Sequence, residues 1–216
     1  LRFMSHLLAK LSNDTIRISP LDLKSTNENK PVPQEVLDLL ETDEYQSILK
    51  FFEETVLFFE ERNATGVYKQ VRSYAEKNGV THRKKINIVN KETGDSEVRE
   101  VFDYYEPNDP KEYVIILTDH VSLLNPESGM DLRESINRFS EYMVMFRNRY
   151  NYIPVVIQQQ NTETMGLDAF KAGKVRPTIT GLGDSKYTGR DCSVMLGITN
   201  PYSHEINNYL GYDISK

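Results

Sequence analysis

The sequence EYVIILTDHVSLL (112–124) contains a short apolar run at residues 113–117, which gives way abruptly to polar residues. Similar runs rich in β-branched residues lie at 153–157 and 193–198. Long connections separate the three runs, as parallel strands require, and continuous apolar runs are typical of strands that are buried on both faces of a sheet. The sequence therefore predicts an α/β fold with a mostly parallel sheet, right-handed crossovers and flanking helices.

The connection between the first two runs predicts a long helix. Asp131 stands at the N-cap position and Glu134 follows three residues later, as in a capping box. Apolar residues then recur at offsets of three and four as far as residue 150, which gives the helix one core-facing stripe. The stripe consists of Leu132, Ile136, Phe139, Met143, Phe146 and Tyr150.

The first third of the chain predicts further helices. Apolar residues occur at helical spacing within residues 1–12, 45–59 and 67–75. The polar stretch between the first two of these segments predicts a loop. Asn78 and Gly79 form the sequence expected of a left-handed stop past the end of the third helix.

Residues 86–105 change to the alternating pattern of strands on either side of a Glu-Thr-Gly-Asp turn, and they predict a β-hairpin. We interpret residues 31–110 as a helical and hairpin insertion and residues 111–216 as the part that carries the parallel strands. The basic run 83–85 next to the hairpin is most often a solvated face, with contact to DNA as the alternative.

Composition narrows the class of protein. The chain has 216 residues, which indicates one domain, and its single cysteine, Cys192, excludes an internal disulfide. No stretch approaches the ~18 consecutive apolar residues of a membrane span, so we expect a cytoplasmic protein without membrane contact. The net charge of −6 argues against a surface that coats nucleic acid, although a ring can hold DNA with a few loops while its outer surface stays acidic.

Polar residues follow the apolar runs at the positions where ligands bind to parallel sheets. Asp119 follows the first run, three glutamines (158–160) follow the second, and the loop 180–191 precedes the third. An acidic residue at such a strand end can hold Mg²⁺ against nucleotide phosphates, and a glutamine can sense the γ-phosphate through neutral hydrogen bonds. A role for Asp119 in capping or in a turn is an equally good interpretation of this residue alone.

The motifs together resemble a known family. Residues 112–124 resemble the Walker B strand of hexameric DnaB-like replicative helicases, and IPVVIQQQ (153–160) is similar to their next conserved strand. The segment RPTITGLGDSKYTGRDCSVMLG (176–197) resembles their last conserved motif, whose loop faces DNA in the channel of the ring. The Asp-His after the first strand, the triple Gln and the GLGDSK loop look more like phage-encoded members than bacterial ones. The helix predicted in residues 1–12 resembles the one after the family's second core strand.

The resemblance implies a RecA-like P-loop NTPase core fragment that uses ATP and Mg²⁺. It assigns Asp119 to the metal, Thr118 to the nucleotide and Gln160 to the sensor position. The residues it places against the DNA backbone are Gly183, Asp184 and Lys186. Many members have Arg where this chain has Gly183, so the resemblance implies contact through a backbone N–H there and charge supplied by Lys186. Asp191 matches an acidic position of the family, and capping of the turn is an equally good interpretation.

The resemblance also implies binding partners, and it implies that some catalytic elements lie outside residues 1–216. The intact protein would form a homo-hexamer around single-stranded DNA and meet a helicase loader or a primase. The chain contains no GxxxxGK[ST] sequence, and by the resemblance the catalytic Glu would precede Leu1 and the arginine finger would follow Lys216. We therefore expect the intact parent to be an ATP-dependent helicase and this fragment alone to be inactive.

Two other functions fit parts of the sequence. A non-catalytic assembly or loader-binding module would need the fold but no nucleotide. A metal hydrolase would use Asp119 and His120 with help from Asp184, Asp191 or His204. The hydrolase is the weaker alternative because no two histidines stand at a ligand spacing on one element.

Overall fold

A computed structural model of the chain describes residues 1–24, 30–89, 94, 96–160, 177–198, 200, 208–209 and 212–213. The chain divides into two compact units, Leu1–Phe59 and Glu60–Lys216. The boundary between them falls inside the segment 31–110 that the sequence predicted as one insertion. None of the helices in the described residues is long and apolar enough to cross a membrane.

The first unit is a small helical cluster. Its helices are α1 (Arg2–Leu11), α2 (Pro20–Leu23), α3 (Gln34–Leu40) and α4 (Asp43–Thr55). The buried side chains of its core are Leu7, Leu8, Val36 and Tyr45. The rings of Phe3 and Phe52 stack beside this core with their centroids 4.0 Å apart.

Two predictions for this unit need correction. The helix predicted over 45–59 ends at Thr55, and Phe58 is 80% exposed. Helices of this length depend on packing, and the residues after Thr55 find no core in this unit, so their helical spacing alone does not extend α4. The predicted loop after α1 contains the short α2, whose N-cap Ser19 accepts from the N–H of Asp22 and whose first residue is Pro20.

Replacing Tyr45 with Phe is expected to raise the free energy of unfolding of the first unit by about 1 kcal/mol. Tyr45 is fully buried, its hydroxyl has no hydrogen-bond partner in the described structure, and burial raises its pKa. Removing an unpaired buried hydroxyl relieves a desolvation penalty without opening a cavity. Urea unfolding followed by circular dichroism measures the change. Tyr113→Phe is the control at an exposed tyrosine, and a loss of stability in Tyr45→Phe contradicts the prediction.

The second unit is mixed α/β. In chain order it contains α5 (Ala64–Lys77), β1 (Gly79–Val89), β2 (Ser96–Pro107), β3 (Ile115–Thr118), α6 (Leu132–Tyr150), β4 (Ile153–Val156), α7 (Tyr187–Asp191), β5 (Asn208–Tyr209) and β6 (Tyr212–Asp213). Each strand pairs with one other, in the antiparallel pairs β1–β2 and β5–β6 and the parallel pair β3–β4. The prediction of a chain that mixes helices and strands is therefore confirmed.

The predicted hairpin is confirmed and is longer than the sequence pattern indicated. Its register runs from Gly79 opposite Pro107 to Val89 opposite Ser96, with an irregularity after His82. The turn lies mostly outside the described residues. The predicted left-handed stop before it is wrong: Asn78 has φ −108° and the chain passes directly from α5 into β1.

The basic residues of the first hairpin strand are balanced by acidic residues on the hairpin. Lys84 lies 2.9 Å from the carboxylate of Asp103 on the neighbouring strand. Four basic and four acidic residues occupy the described strands, so their charges cancel. This balance favours the solvated interpretation of the basic run.

Helix α6 connects the two parallel strands and is confirmed in detail. Asp131 accepts from the N–H of Glu134 at 2.7 Å, and the Glu134 carboxylate accepts from the N–H of Asp131 at 2.9 Å. This is the predicted capping box. The helix ends at Asn151, whose left-handed φ of 57° turns the chain into β4.

The core of the second unit lies between α5, α6 and one face of the parallel pair. Its fully buried side chains include Ile136, Phe139 and Phe146 from the predicted stripe. At the start of α5 the carboxylate of Glu127 accepts from the N–H of Thr65 at 2.6 Å and lies 2.8 Å from Arg138. These contacts lower the pKa of Glu127, chiefly through the backbone N–H of Thr65.

The predicted third parallel strand is wrong. Residues 193–198 form no ladder with any described strand, and Leu196 and Ile198 are more than 80% exposed. An apolar run becomes a strand only where its backbone groups find a partner. In the part of the chain that the structure describes, the sheet is therefore a parallel pair and not the larger, mostly parallel sheet that was predicted.

One face of the parallel pair is left uncovered by the described residues. The aliphatic side chains on this face are 41–65% exposed, and they are Ile115, Leu117, Ile153, Val155 and Ile157. The opposite face, with Ile116 and Val156, packs into the core. A continuous apolar run therefore does not require that both faces of a strand be covered, since the described residues cover only one face of β3 and β4.

Candidate functional site

The carboxyl ends of β3 and β4 lie at the same edge of the sheet. Thr118 pairs with Val156, and its carbonyl accepts from the N–H of Ile157 at 2.9 Å. Beyond Asp119, the N–H of Val121 donates to the carbonyl of Ile157 at 3.1 Å. The parallel direction that the sequence predicted for these strands is therefore confirmed.

Asp119 is an exposed carboxylate at this edge. It follows the last residue of β3, and its peptide bond to His120 is cis. No hydrogen bond or ion pair engages its side chain among the residues that can be described. Mg²⁺ commonly takes one or two carboxylates and completes its shell with water and phosphate oxygens, so a single free carboxylate fits a metal–nucleotide site.

Gln160 contacts the loop that follows, rather than Asp119. Its amide nitrogen donates to the carbonyl of Thr178 at 3.0 Å. Its backbone forms an antiparallel bridge with Leu182. The sensor position of the resemblance is therefore attached to the segment that leads into the predicted DNA loop.

Gln158 is the residue that the sequence analysis missed. Its amide nitrogen donates to the carbonyl of Gly183 and, at 2.8 Å, to that of Ser185, and its amide oxygen accepts from the hydroxyl of Thr188. The signal was present, because residues two apart along an extended chain point to the same side. A loop contact from Gln160 therefore favoured a second contact from Gln158.

A second link joins the loop to the end of β3. The hydroxyl of Ser122 donates to the carboxylate of Asp184 at 2.6 Å. Ser122 lies in the short 3-10 helix Val121–Leu123 that follows Asp119. Asp184, which the resemblance placed against DNA, has a left-handed φ of 56° and uses its carboxylate inside the chain.

Of the other two predicted DNA contacts, the structure favours Lys186. The N–H of Gly183 donates to the carbonyl of Gln159 at 3.1 Å, so in this conformation it is not free for a phosphate. Lys186 is exposed and has no ion-pair partner in the described part of the chain. Arg190, one helical turn further on, lies over the ring of Tyr187 at 5.5 Å. The loop thus presents two cations near one another.

Asp191 fastens the far end of the loop to α6. Its carboxylate accepts from the hydroxyl of Ser140 at 2.5 Å. Its carbonyl accepts from the guanidinium of Arg147 at 2.7 Å. These contacts favour the structural interpretation of Asp191 over a direct role with a ligand.

The metal-hydrolase alternative gains no support from the geometry. The residues that the structure describes contain no group of three His, Cys, Asp or Glu side chains able to hold a metal ion. His120 is partly buried, with its Nδ1 atom enclosed and unpartnered. His204, the remaining candidate ligand, lies outside the described residues.

Comparison with known proteins adds no relative. No protein-family model matches the chain, and neither a curated protein nor a solved structure does. The functional assignment therefore depends on the motifs and on the contacts at the sheet edge.

Proposed function

We propose that this chain is the Walker B, sensor and DNA-loop part of an ATP-dependent, ring-forming DNA helicase. The observation that carries the proposal is the convergence at one sheet edge. A free carboxylate follows β3, three glutamines follow β4, and both strand ends hold residues 178–188 by hydrogen bonds, two of the glutamines taking part. The carboxylate proposed for the nucleotide and the loop proposed for DNA are thereby linked through a few hydrogen-bonded side chains.

In this proposal Asp119 holds Mg²⁺-ATP, with Thr118 beside it. The metal, when bound, would neutralise the charge that develops on the phosphates. The phosphate cradle would come from a GxxxxGK[ST] sequence that this chain does not contain. A full-length protein without that sequence in the ~60 residues before Leu1 would contradict the proposal.

Gln160 would report the state of the nucleotide to the loop. Its amide donates to the carbonyl of Thr178, so a shift of the glutamine would move the start of the loop. Lys186 would contact the DNA backbone, with little preference for sequence because phosphates carry none. A homo-hexamer that encircles single-stranded DNA, meets a loader or primase and works in the cytoplasm completes the proposal.

A non-catalytic assembly module is the second candidate. The observation in its favour is the uncovered aliphatic face of β3 and β4, since exposed apolar patches mark interaction surfaces. Nucleotide distinguishes the two functions. The motor requires that the full-length protein bind and hydrolyse Mg²⁺-ATP, and the module requires neither.

Replacing Lys186 with Ala tests the DNA loop. We expect weaker binding of single-stranded DNA by the full-length protein and a salt slope smaller by about 0.7, because one phosphate contact is lost. Fluorescence anisotropy of a labelled oligothymidine, titrated at several salt concentrations, measures both quantities.

The matched control is Lys69→Ala, which removes an exposed lysine from α5. It should leave the salt slope unchanged. An unchanged slope in Lys186→Ala would remove Lys186 from the DNA contacts. Absence of DNA binding by the unaltered protein would contradict the helicase itself.

A further inference from the structure

Gln158 is unusual among the residues of the sheet edge because one side chain spans a whole loop. Its amide contacts residues 183, 185 and 188, which lie 25 to 30 positions away along the chain. It is partly buried, and Ser185 beneath it is only 2% exposed. The loop is therefore held against β4 through this amide.

The three contacts use both donors and the acceptor oxygen of a primary amide in one arrangement. Two N–H groups meet two carbonyls, and the carbonyl oxygen meets a hydroxyl. An ionised carboxylate would offer no donor, a lysine no acceptor, and a leucine neither. Of these side chains, only the amide offers two donors and an acceptor at once.

The loop has further fastenings that define what Gln158 adds. Ser185 donates its hydroxyl to Asn137 on α6 at 2.6 Å, and Asp184 accepts from Ser122 at 2.6 Å. The latter contact ties the loop to the end of β3. Gln158 ties it to the end of β4, so the position of the loop depends on both strand ends at once.

We propose that Gln158 is a positioning residue that fixes residues 183–188 for contact with single-stranded nucleic acid. The inference rests on the proposed function and deepens it, since it assigns to Gln158 the link between β4 and the DNA loop. Gln160 keeps the nucleotide-sensing role. Lys186 lies inside the span that Gln158 holds, so release of the amide displaces the cation that meets the phosphates.

The test compares Gln158→Leu and Gln158→Glu in the full-length protein. Hydrogen exchange of peptides covering residues 177–190 reports the loop, and anisotropy of a labelled oligothymidine reports DNA affinity. In Gln158→Leu we expect faster exchange in the loop, unchanged exchange in α6, and DNA affinity lower by about tenfold, as the loss of one or two net hydrogen bonds implies.

Gln158→Glu adds a signature that a merely structural role would not give. The ionised carboxylate faces two carbonyls and releases the loop, whereas the protonated acid can donate to one of them. The ratio of variant to unaltered DNA affinity should therefore rise as the pH falls from 7 to 4, through the ordinary pKa of a glutamate at about 4.3, together with protection of the loop. Gln159→Leu is the matched control: its exposed side chain makes no hydrogen bond among the described residues, its backbone bond to Gly183 is kept, and both readouts should stay within about twofold.

The outcomes separate the two levels of the proposal. Unchanged loop exchange in Gln158→Leu, or a Gln158→Glu ratio that does not depend on pH, overturns the positioning role. Faster loop exchange with undiminished DNA affinity overturns the link to nucleic acid. If the unaltered protein binds no DNA, the proposed function fails, while the exchange data still decide whether Gln158 holds the loop.

Discussion

Replacing Asp119 with Asn is expected to lower the kcat of ATP hydrolysis by the full-length protein at least about a thousandfold. The amide keeps the size of the side chain but loses its charge, and a metal that acts on phosphates contributes several kcal/mol to the barrier. Release of phosphate at saturating ATP and Mg²⁺, with and without single-stranded DNA, measures the effect.

The structure makes this substitution a clean test. Asp119 is exposed and has no hydrogen bond or ion pair among the described residues, so its removal breaks no contact that supports the fold. A surface substitution of this kind usually changes stability by less than about 0.5 kcal/mol. Loss of turnover would therefore reflect the chemistry and not unfolding.

The matched control is Asp109→Asn, which changes an exposed aspartate in the turn before β3. Asp109 accepts from the N–H of Lys111 at 2.8 Å, and an asparagine oxygen can accept the same bond. Turnover in this variant should be unaffected. Undiminished hydrolysis in Asp119→Asn would remove Asp119 from the mechanism, and with it the main support for a Walker B strand.

Local patterns in the sequence predicted the local parts of this fold. The capping box at Asp131 gave α6 its start because its contacts lie within a few residues, and the periodic stripe through Phe146 gave the helix its length and buried face. The short runs at 113–117 and 153–157 gave the strands and their shared direction. Because the strands are parallel, Asp119 and the glutamines lie at the same edge of the sheet.

The contacts that define the candidate site could not be predicted from such local patterns. Ser122 meets Asp184, and Gln158 meets Thr188, across long separations that leave no periodic trace. The third strand failed for a related reason. Residues 193–198 have strand-like composition, but a strand also needs a partner at its edge, and composition does not supply one.

At the uncovered face of β3 and β4, the burial that the sequence pattern predicted differs from the packing in the structure. Ile116 lies in the core, while its neighbours Ile115 and Leu117 are more than 60% exposed. The sequence predicted burial on both faces, and the core of this unit covers one. Stability of the second unit must therefore come mainly from the layer between α6, α5 and the covered face of the strands.

Replacing Phe146 with Ala is accordingly expected to cost the second unit about 4 kcal/mol. Phe146 is fully buried, and its ring lies 5.7 Å from that of Tyr68 on α5 and 6.3 Å from that of Tyr152 before β4. Truncation would leave a cavity where these elements meet. Urea unfolding followed by tyrosine fluorescence measures the loss.

Tyr113→Ala is the matched control, because it also removes an aromatic ring from this unit but from a site that is 82% exposed. It should change the free energy of unfolding by less than about 0.5 kcal/mol. A cost below about 1 kcal/mol for Phe146→Ala would mean that the layer under α6 does not carry the stability of the unit. The sheet edge with Asp119 and Gln158 would then lack the rigid support on which its proposed function depends.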